Sequence, residues 1–464
     1  MPQPPKPPQT RNRPHADTAG IPSRTHRVPG LATRRMAVDV IASVLEKGRP
    51  LDHELDARAQ TPAFRDLEAK DRGLMRAIVG MTLRRLGEID DVLDELMARP
   101  LPEKAARIRH ILRVGAAQLL FLDVPDHAAV SIAVELADMD RIARGWKGLV
   151  NGVLRTLARA RDEILEGRDP AILNTPDWLW QRWVSAYGED TARAIANAHL
   201  VEPYLDISVK SDPGHWAAEL GGLLLPTGSI RLEGAGAVEK LPGFTEGAWW
   251  VQDTAASLPV KLLGNVAGQD VADLCAAPGG KTAALASGGA HVTAVDISPD
   301  RLKRMAGNLA RLKLKSVETV AADLTKWEPG KQFDAVLLDA PCSATGTIRR
   351  HPDVALAKSP ELIADLARLQ AQLLDRVTDW VKPGGKLIFC TCSLEPEEGE
   401  LQASAFLARH PDFRLVPVTA NEIGGLGAAL TPDGMIRTLP CLLPHEDARL
   451  GGLDGFFIAR FERV

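Results

Sequence analysis

The C-terminal half of this 464-residue chain contains the segment Asp273-Leu274-Cys275-Ala276-Ala277-Pro278-Gly279-Gly280-Lys281-Thr282. An apolar run at residues 271–275 leads into it, and residues 281–286 at its end have helical composition. Small side chains and two adjacent glycines between a strand and a helix let the backbone approach a ligand closely. The segment therefore predicts a strand–loop–helix unit whose loop, residues 275–281, binds a ligand.

Short apolar runs alternate with helical stretches around this segment. The predicted buried strands are residues 271–275, 291–296, 317–321, 335–339 and 386–391. The predicted helices between them are residues 281–286, 299–314 and 360–381. Such alternation is typical of a parallel sheet with helices on both faces. We therefore predict a doubly wound, Rossmann-like α/β domain over residues 255–464.

Aspartates follow successive strands of this predicted sheet. Asp296 ends the second strand, Asp323 follows the third, and Asp339 ends the fourth. We expect them at one site, because ligands bind beyond the carboxyl ends of the strands in open α/β sheets. Asp296 is placed to accept from two ribose hydroxyls, and Asp323 suits an adenine edge. A single aspartate can be a helix cap, but with Asp273 there are four, at the ends of four strands.

The loop lacks both common nucleotide-binding glycine motifs. The absence of Gly-x-Gly-x-x-Gly disfavours a nicotinamide dinucleotide. The absence of Gly-x-x-x-x-Gly-Lys-Ser/Thr disfavours a nucleoside triphosphate. A nucleoside without a pyrophosphate is left, and S-adenosylmethionine is the cofactor that we expect.

The chain has five cysteines: Cys275, Cys342, Cys390, Cys392 and Cys441. No pair has the repeated Cys-x-x-Cys spacing of a zinc site, so we expect no metal. Free cysteine is most often buried and inert, which we expect for Cys390, inside its strand, and for Cys441. Cys342 and Cys392 instead lie just past strand ends, where catalytic residues are normally presented.

Bulk properties narrow the class of protein further. An odd number of cysteines without a signal peptide predicts a reducing compartment, and no apolar run is long enough to span a bilayer. We therefore expect a cytoplasmic protein with no membrane partner, and a monomer. The net charge of -4 excludes a globally basic nucleic-acid binder, so RNA contacts must come from local basic patches.

The N-terminal third has two different patterns. Residues 1–30 are rich in proline and basic side chains and have no apolar periodicity, so we predict a disordered tail. This tail is either simply solvated or a weak RNA-contacting arm, and we favour the first interpretation. Residues 31–165 repeat apolar positions at helical spacing, as at Ile108, Ile111 and Leu112, and predict an all-α domain.

Basic side chains cluster on the predicted helical domain. They are Lys70, Arg72, Arg76, Arg84 and Arg85, and later Arg141, Arg144, Lys147, Arg155, Arg159 and Arg161. A solvated charged face explains most of them individually, whereas their clustering indicates RNA binding, and both interpretations stay open.

Residues 170–254 have a mixed pattern. A tryptophan-rich helix precedes short strand-like runs at 205–209 and 229–232, which predicts a small α+β linker subdomain. Trp249 and Trp250 either stack on bases or lie in the core, and burial is the commoner use of such a pair.

Two sets of motifs resemble known families. Residues 31–165 resemble the NusB-like RNA-binding helical domain. The matching blocks are Lys70-Asp71-Arg72, Ile111-Leu112-Arg113-Val114-Gly115, Val124-Pro125-Asp126-His127-Ala128-Ala129-Val130 and Lys147-Gly148-Leu149-Val150-Asn151-Gly152-Val153-Leu154-Arg155.

The second half resembles the Sun/Nop family of RNA 5-methylcytosine methyltransferases. Its blocks are residues 273–282, Asp339-Ala340-Pro341-Cys342-Ser343-Ala344-Thr345-Gly346, Arg349-Arg350-His351-Pro352-Asp353 and Thr391-Cys392-Ser393-Leu394-Glu395-Pro396-Glu397-Glu398.

The resemblance implies an S-adenosylmethionine-dependent enzyme that methylates carbon 5 of a cytosine in RNA, with small-subunit ribosomal RNA as its partner. Carbon 5 of cytosine is a poor nucleophile. Addition of a thiolate to carbon 6 makes carbon 5 enamine-like, so that it can attack a methyl sulfonium. A base must then remove the carbon-5 proton so that the thiolate can leave.

The same resemblance implies a role for each matching residue. Cys392 aligns with the nucleophile, and Cys342 aligns with the cysteine that assists proton removal and release of the methylated RNA. Residues 275–281, Asp296, Asp323 and Asp339 align with cofactor-site positions. Asp339 is also expected to contact the target base, where it would favour protonation at nitrogen 3.

Two segments depart from the family pattern. Residues 205–210 lack the arginine–asparagine pair that we expect there, which puts this subdomain's RNA contacts in doubt. Residues 441–453 look longer than usual before the matching ending Asp454-Gly455-Phe456-Phe457.

Two other functions stay open. In a DNA cytosine-5 methyltransferase the nucleophile lies in the Pro-Cys motif, so Cys342 would attack; the Thr391-Cys392-Ser393 motif and the helical domain argue against it. A non-catalytic RNA-binding assembly factor would keep the fold without the chemistry. The intact cysteines and cofactor loop argue against that function.

Overall fold

The computed structural model describes residues 28–102, 105–234 and 236–464. The tail predicted for residues 1–30 lies outside the described residues except for its last three. Within these three ranges, every helix is too short or too polar to cross a membrane.

The N-terminal part is built from helices packed around one apolar core. They are α1 (Leu31–Lys47), α2 (Leu51–Ala59), α3 (Pro62–Arg65), α4 (Ala69–Arg84), α5 (Leu86–Leu96), α6 (Ala106–Phe121), α7 (Asp126–Met139) and α8 (Lys147–Ala160). Ile108, Ile111 and Leu112 of α6 are buried at its centre, where α6 contacts α1, α4 and α7. The spacing of these residues places them on one face of the helix, and the predicted all-α fold is confirmed.

A smaller α+β unit follows. It contains α9 (Pro170–Leu173), α10 (Asp177–Tyr187), α11 (Glu189–His199), β1 (Leu205–Val209), α12 (Pro213–Leu220), β2 (Leu223–Leu224), β3 (Ile230–Leu232) and β4 (Trp249–Val251). The strands form an antiparallel sheet in the order β2-β3-β1-β4. Trp249 and Trp250 are both buried in β4, in agreement with the commoner use of such a pair.

The C-terminal part is an α/β sheet. Its elements are α13 (Thr254–Lys261), β5 (Asp270–Leu274), α14 (Gly280–Ser287), β6 (His291–Asp296), α15 (Pro299–Arg311), β7 (Val317–Ala321), β8 (Phe333–Asp339), α16 (Val354–Ala357), α17 (Pro360–Val377), β9 (Val381–Thr391), α18 (Glu400–Arg409), β10 (Phe413–Leu415), β11 (Ile436–Thr438) and β12 (Phe456–Arg463). The strand order is β10-β12-β9-β8-β5-β6-β7, with β11 paired to β12.

The central strands β5 to β9 pair in parallel, and β12 adds to β9 in the antiparallel sense. Apolar clusters cover both faces of the sheet. The predicted doubly wound architecture is therefore confirmed, with an antiparallel extension at one edge that the sequence did not indicate.

Some details of the prediction were wrong. The helix expected over residues 299–314 ends at Arg311, and the strand over residues 317–321, expected to be buried, is the partly exposed edge strand β7. The helix expected over residues 360–381 ends at Val377, because Val381 already begins β9 and pairs with Phe333 of β8. Arg84, expected on the basic surface, is buried and donates to the backbone oxygen of His199 at 2.7 Å. Other members of the basic clusters are exposed as expected: Lys70, Arg76, Arg141, Arg144, Lys147, Arg155 and Arg159.

Candidate active site

The loop between β5 and α14 turns sharply at two residues. Cys275 and Gly279 both have positive φ, 61° and 100°. A Cβ atom on Gly279 would lie 2.4 Å from Cγ of Met305, so only glycine fits there without a shift. The missing side chain therefore makes room for α15 packed behind the loop, while the front of the loop borders the cleft described below.

Asp296 holds this loop in place at the end of β6. Its carboxylate accepts from the backbone N–H of Ala277 at 3.2 Å and of Ser298 at 2.9 Å, and Arg301 lies 3.3 Å away. The side chain is buried. Ile297 beside it is 68% exposed, a large apolar side chain presented at the strand end. Ile297 was not among the site residues predicted from the sequence, although its position directly after Asp296 at the strand end could have indicated it.

The other aspartates differ in their surroundings. Asp323 is partly exposed and caps its own turn, accepting from the backbone and hydroxyl of Thr325; these hydrogen bonds lower the pKa of its carboxyl group. Asp273 is fully buried and accepts from Thr282, and burial raises its pKa to about 7. Asp273 is therefore an internal residue of β5, and only Asp296, Asp323 and Asp339 lie at the open edge.

Lys281 and Asp339 form an ion pair at the centre of this edge. Lys281 Nζ donates to Asp339 Oδ2 at 2.7 Å and lies over the ring of Phe456. Burial opposes the charge, but the carboxylate of Asp339 raises the pKa of the Lys281 ammonium group. Lys281 is therefore a persistent cation beside Cys392.

The two cysteines expected at strand ends come together. Cys342 follows β8, Cys392 follows β9, and their Sγ atoms lie 3.5 Å apart. The hydrogen bond to Cys392 and burial hold the pKa of Cys342 well above its usual range. Cys390 is buried within β9, and its thiol lies 3.4 Å from Asp339 Oδ1. Cys441 is half-buried and packs against the cluster around Trp183, away from this pair.

Glu398 ties the two cysteine loops together. Its fully buried carboxylate accepts from the backbone N–H and hydroxyl of Ser343 and from the hydroxyl of Ser393, at 2.6 Å for the latter. Gln370 donates to the same carboxylate at 3.0 Å. Sequence reasoning quoted Glu398 within a motif but assigned it no role. The sequence feature that could have indicated a role for Glu398 is the cluster of carboxylates that follows the strand-end cysteine Cys392.

A cleft of about 520 Å³ opens over these residues. Of the predicted site, it is lined by Ala276, Pro278, Gly279, Gly280, Lys281, Asp339 and Cys392, to which the structure adds Arg350, His351 and Phe456. Cys275, Ala277, Asp296, Asp323 and Cys342 lie outside this lining set. In the described residues, no group of histidine, cysteine or acidic side chains is arranged to hold a metal ion.

The strand that lacks the expected arginine uses its aspartate internally. Asp206 of β1 and Arg231 of β3 are both fully buried and form a two-point ion pair, at 2.6 and 2.8 Å. Asp206 also accepts from the hydroxyl of Thr254 at 2.9 Å. The departure at residues 205–210 thus ties the α+β unit to α13.

Comparisons with known proteins identify the family of this chain. Residues 260–462 match the family model of the 16S rRNA methyltransferase RsmB/F, and residues 31–159 match that of the NusB family. The ribosomal RNA small subunit methyltransferase B of Cronobacter sakazakii is 37% identical over 445 residues, which cover 92% of this chain and 97% of that protein. The protein of the same description from Serratia proteamaculans is 38% identical, over 93% of this chain and 98% of its own. The chain belongs to the RsmB/F methyltransferase family.

Solved structures share this fold. The crystal structure of PH0851 superposes with a TM-score of 0.71 and 24% identity, over 94% of this chain and 99% of that one. A methyltransferase homologue from Pyrococcus horikoshii is 27% identical with a TM-score of 0.51, over 67% of this chain and 98% of its own. Membership of the family makes this chain a methyltransferase, and the resemblance noted in its motifs is confirmed.

Proposed function

We propose that this protein transfers a methyl group from S-adenosylmethionine to carbon 5 of a cytosine in small-subunit ribosomal RNA, through a covalent bond between Cys392 and the base. The observation that carries the proposal is the thiol pair. Cys392 lines a cleft with Lys281 and Asp339, and a second thiol lies 3.5 Å behind it. The names of the family's curated members supply the class of substrate.

The residues at the sheet edge fit the proposed cofactor. Asp296 already accepts two backbone hydrogen bonds, but a carboxylate has about four acceptor positions, so ribose hydroxyls can share it. Ile297 offers an exposed apolar face of the kind that packs on an adenine ring. Asp323 and residues 275–281 complete the proposed site. When bound, the cofactor supplies an electrophilic methyl group on a sulfonium.

Three residues of the cleft carry out the attack on the base and stabilise the charges that it produces. Cys392 adds to carbon 6 as the thiolate, and the cation of Lys281 stabilises negative charge on that sulfur. Asp339 contacts the base at nitrogen 3, where proton binding offsets the negative charge that the attack places on the ring. Carbon 5 then carries the electron density needed to accept the methyl group.

Cys342 acts after methyl transfer. While Cys392 is free, its hydrogen bond with Cys342 and burial raise the pKa of the Cys342 thiol. Once Cys392 is bonded to the base, that hydrogen bond changes. Cys342 first releases its own proton to solvent. Its thiolate then takes the proton from carbon 5, the electrons of that C–H bond form the double bond between carbons 5 and 6, and Cys392 leaves as a thiolate. The 3.5 Å separation keeps Cys342 beside the reacting base throughout.

The test is methylation with the purified full-length protein. Small-subunit ribosomal RNA transcribed in vitro is incubated with S-adenosylmethionine carrying a labelled methyl group, and its nucleosides are identified by mass spectrometry. We expect labelled 5-methylcytosine at one position. Label in a DNA duplex but not in RNA would favour the DNA enzyme, and cofactor binding without transfer to either would favour a non-catalytic factor.

A further inference from the structure

Helix α2 of the helical domain docks on the methyltransferase domain. The backbone N–H of Leu51, at the start of α2, donates to Asp353 Oδ2 at 2.9 Å in a buried contact. Asp56, one turn further along, pairs with Arg304 of α15 at 2.9 Å. Asp353 thus acts as an N-terminal cap supplied from another domain, and it fixes where α2 begins relative to the cleft.

Between these two contacts, Asp52 reaches a residue of the cleft. Asp52 Oδ2 lies 3.2 Å from Nδ1 of His351, and His351 lines the cleft that contains Cys392. The side chain of His351 keeps 39% of its surface exposed. Among the described residues, its other nitrogen, Nε2, makes no hydrogen bond. The pair with Asp52 engages Nδ1 and leaves Nε2 without a protein partner in the described part of the chain, on a residue that lines the cleft.

The charges around His351 favour its protonated form. Asp52 of α2 is the closest, with Asp353 on its own segment and Asp454 on the segment before β12; Arg350 is the adjacent cation. The hydrogen bond with Asp52 raises the pKa of His351, and burial opposes this only in part. The same hydrogen bond lowers the pKa of Asp52.

The other cations of the cleft donate to groups of the protein itself. Lys281 donates to Asp339, and Arg350 donates to Asp253 at 2.7 Å. Arg311 donates to the backbone oxygens of Phe244 and Trp249. Since RNA brings a phosphate with every nucleotide, a cationic donor whose nitrogen is free suits the backbone beside the target cytosine.

We propose that Asp52 of the helical domain is a positioning residue, which holds His351 as a cation at the cleft so that its Nε2 binds a phosphate of the substrate RNA. The proposal rests on the proposed function for the identity of the polymer. It makes the helical domain a part of the catalytic cleft.

The test compares Asp52→Asn, His351→Gln and the native full-length protein, with Asp56→Asn as the matched control on the same helix. The probe is the small-subunit ribosomal RNA transcript, and its Kd is measured from pH 5.5 to 8.5 and over a range of salt. We expect Asp52→Asn to weaken binding about three- to tenfold near neutral pH, as for one exposed charge-assisted contact. Asp56→Asn should bind as the native protein does.

The pH dependence is what a merely structural role would not produce. Removing Asp52 lowers the pKa of His351, so the affinity of Asp52→Asn should fall at a lower pH than that of the native protein. The difference between the two proteins should narrow as the pH is lowered, because acid protonates both imidazoles. In His351→Gln this pH-dependent step should vanish, and the slope of log Kd against log salt should become shallower by about 0.7.

Three results would overturn the inference: a pH profile of Asp52→Asn that matches the native profile, an effect equal to that of Asp56→Asn, or an unchanged salt slope in His351→Gln. Failure of the proposed function looks different. In that case the native protein leaves RNA unmethylated, whereas Asp52→Asn and His351→Gln still change the Kd for RNA and its pH dependence.

Discussion

The hydroxyl of Ser393 donates a hydrogen bond of 2.6 Å to the carboxylate of Glu398. Ser393 follows Cys392, and the same carboxylate accepts from Ser343, which follows Cys342. One buried acceptor therefore sets the distance between the two loops that carry the thiols. The separation of the Sγ atoms depends on a residue that touches neither sulfur.

Replacing Glu398 should disrupt both loops together. In Glu398→Ala the donors of Ser343, Ser393 and Gln370 lose their common acceptor inside the protein, at a cost of about 1–3 kcal/mol for each buried group left unpaired. We expect urea unfolding to show a loss of about 3 kcal/mol or more. The neighbouring Glu397→Ala is the control, since that side chain is 42% exposed and, among the described residues, pairs only with Arg182. Equal stability of the two variants would contradict the role of Glu398.

Asp296→Ala should weaken binding of S-adenosylmethionine. Removing a charge-assisted acceptor should reduce the binding free energy by on the order of 1.5–3 kcal/mol, which is about 10- to 150-fold in Kd by calorimetry. Loss of the hydrogen bonds to Ala277 and Ser298 would add to the effect by loosening the loop. Asp300→Ala, at an exposed position in the first turn of α15, is the control. Unchanged affinity in folded Asp296→Ala would remove Asp296 from the cofactor site.

Local pattern was enough to predict much of this molecule. The strand over residues 291–296 has the predicted bounds, because an apolar run of that length between helices has few other uses. The strand over residues 317–321 also has the predicted bounds, but it is not buried as predicted, since it forms the edge strand β7. Cys342 and Cys392 were expected at adjacent strand ends, and β8 and β9 are indeed neighbours. Their meeting follows from the parallel topology, which alternating elements predict.

The parts that could not be predicted depend on contacts between distant segments. Burial of Arg84 against His199 joins residues 115 positions apart, and no local pattern distinguishes it from an exposed arginine. The pairing of Asp52 with His351 likewise depends on how two domains dock. The first six residues of strand β12 are all buried, so its sequence lacks the alternation of apolar and polar residues that indicates which face of a strand is exposed. Periodicity therefore indicated the elements but not their long-range partners.

The stability of the protein should depend on pH through His199. This residue ends α11, is buried against Trp183, and its Nε2 has no hydrogen-bond partner among the described residues. Burial, followed by the charges of Arg84 and Arg349, lowers the pKa of His199 to about 3. The pKa of histidine in an unfolded chain is about 6.5, so below that pH the unfolded chain binds a proton that the folded chain does not.

The free energy of unfolding should consequently fall as the pH is lowered. The contribution of His199 is fully present above about pH 6.5 and is lost by about 1.4 kcal/mol per pH unit below it. Urea unfolding at pH 7.5 and 5.5 should show a smaller loss for His199→Phe than for the native protein. His53→Gln, at an exposed histidine, should behave as the native protein does. An equal loss in His199→Phe would show that His199 is not the group responsible.

The last prediction separates the two thiols. If Cys392 attacks carbon 6, Cys392→Ala should abolish methylation and adduct formation together and leave cofactor binding intact. If Cys342 assists release, Cys342→Ala should still attack and transfer the methyl group but remain bonded to the product, because the sulfur departs only after the carbon-5 proton is removed. The 3.5 Å between the sulfurs makes both reactions possible at one base.

Denaturing gel electrophoresis after incubation with substrate RNA and S-adenosylmethionine distinguishes these cases. We expect a shifted, denaturation-resistant band for Cys342→Ala and none for Cys392→Ala. The base must leave its stack to reach both thiols, so the trapped species should contain one unpaired cytosine. Cys441→Ala is the control, since this thiol packs against the cluster around Trp183, away from the pair, and should give the native result. The reverse pattern of bands would make Cys342 the nucleophile and would favour the chemistry of the DNA enzymes.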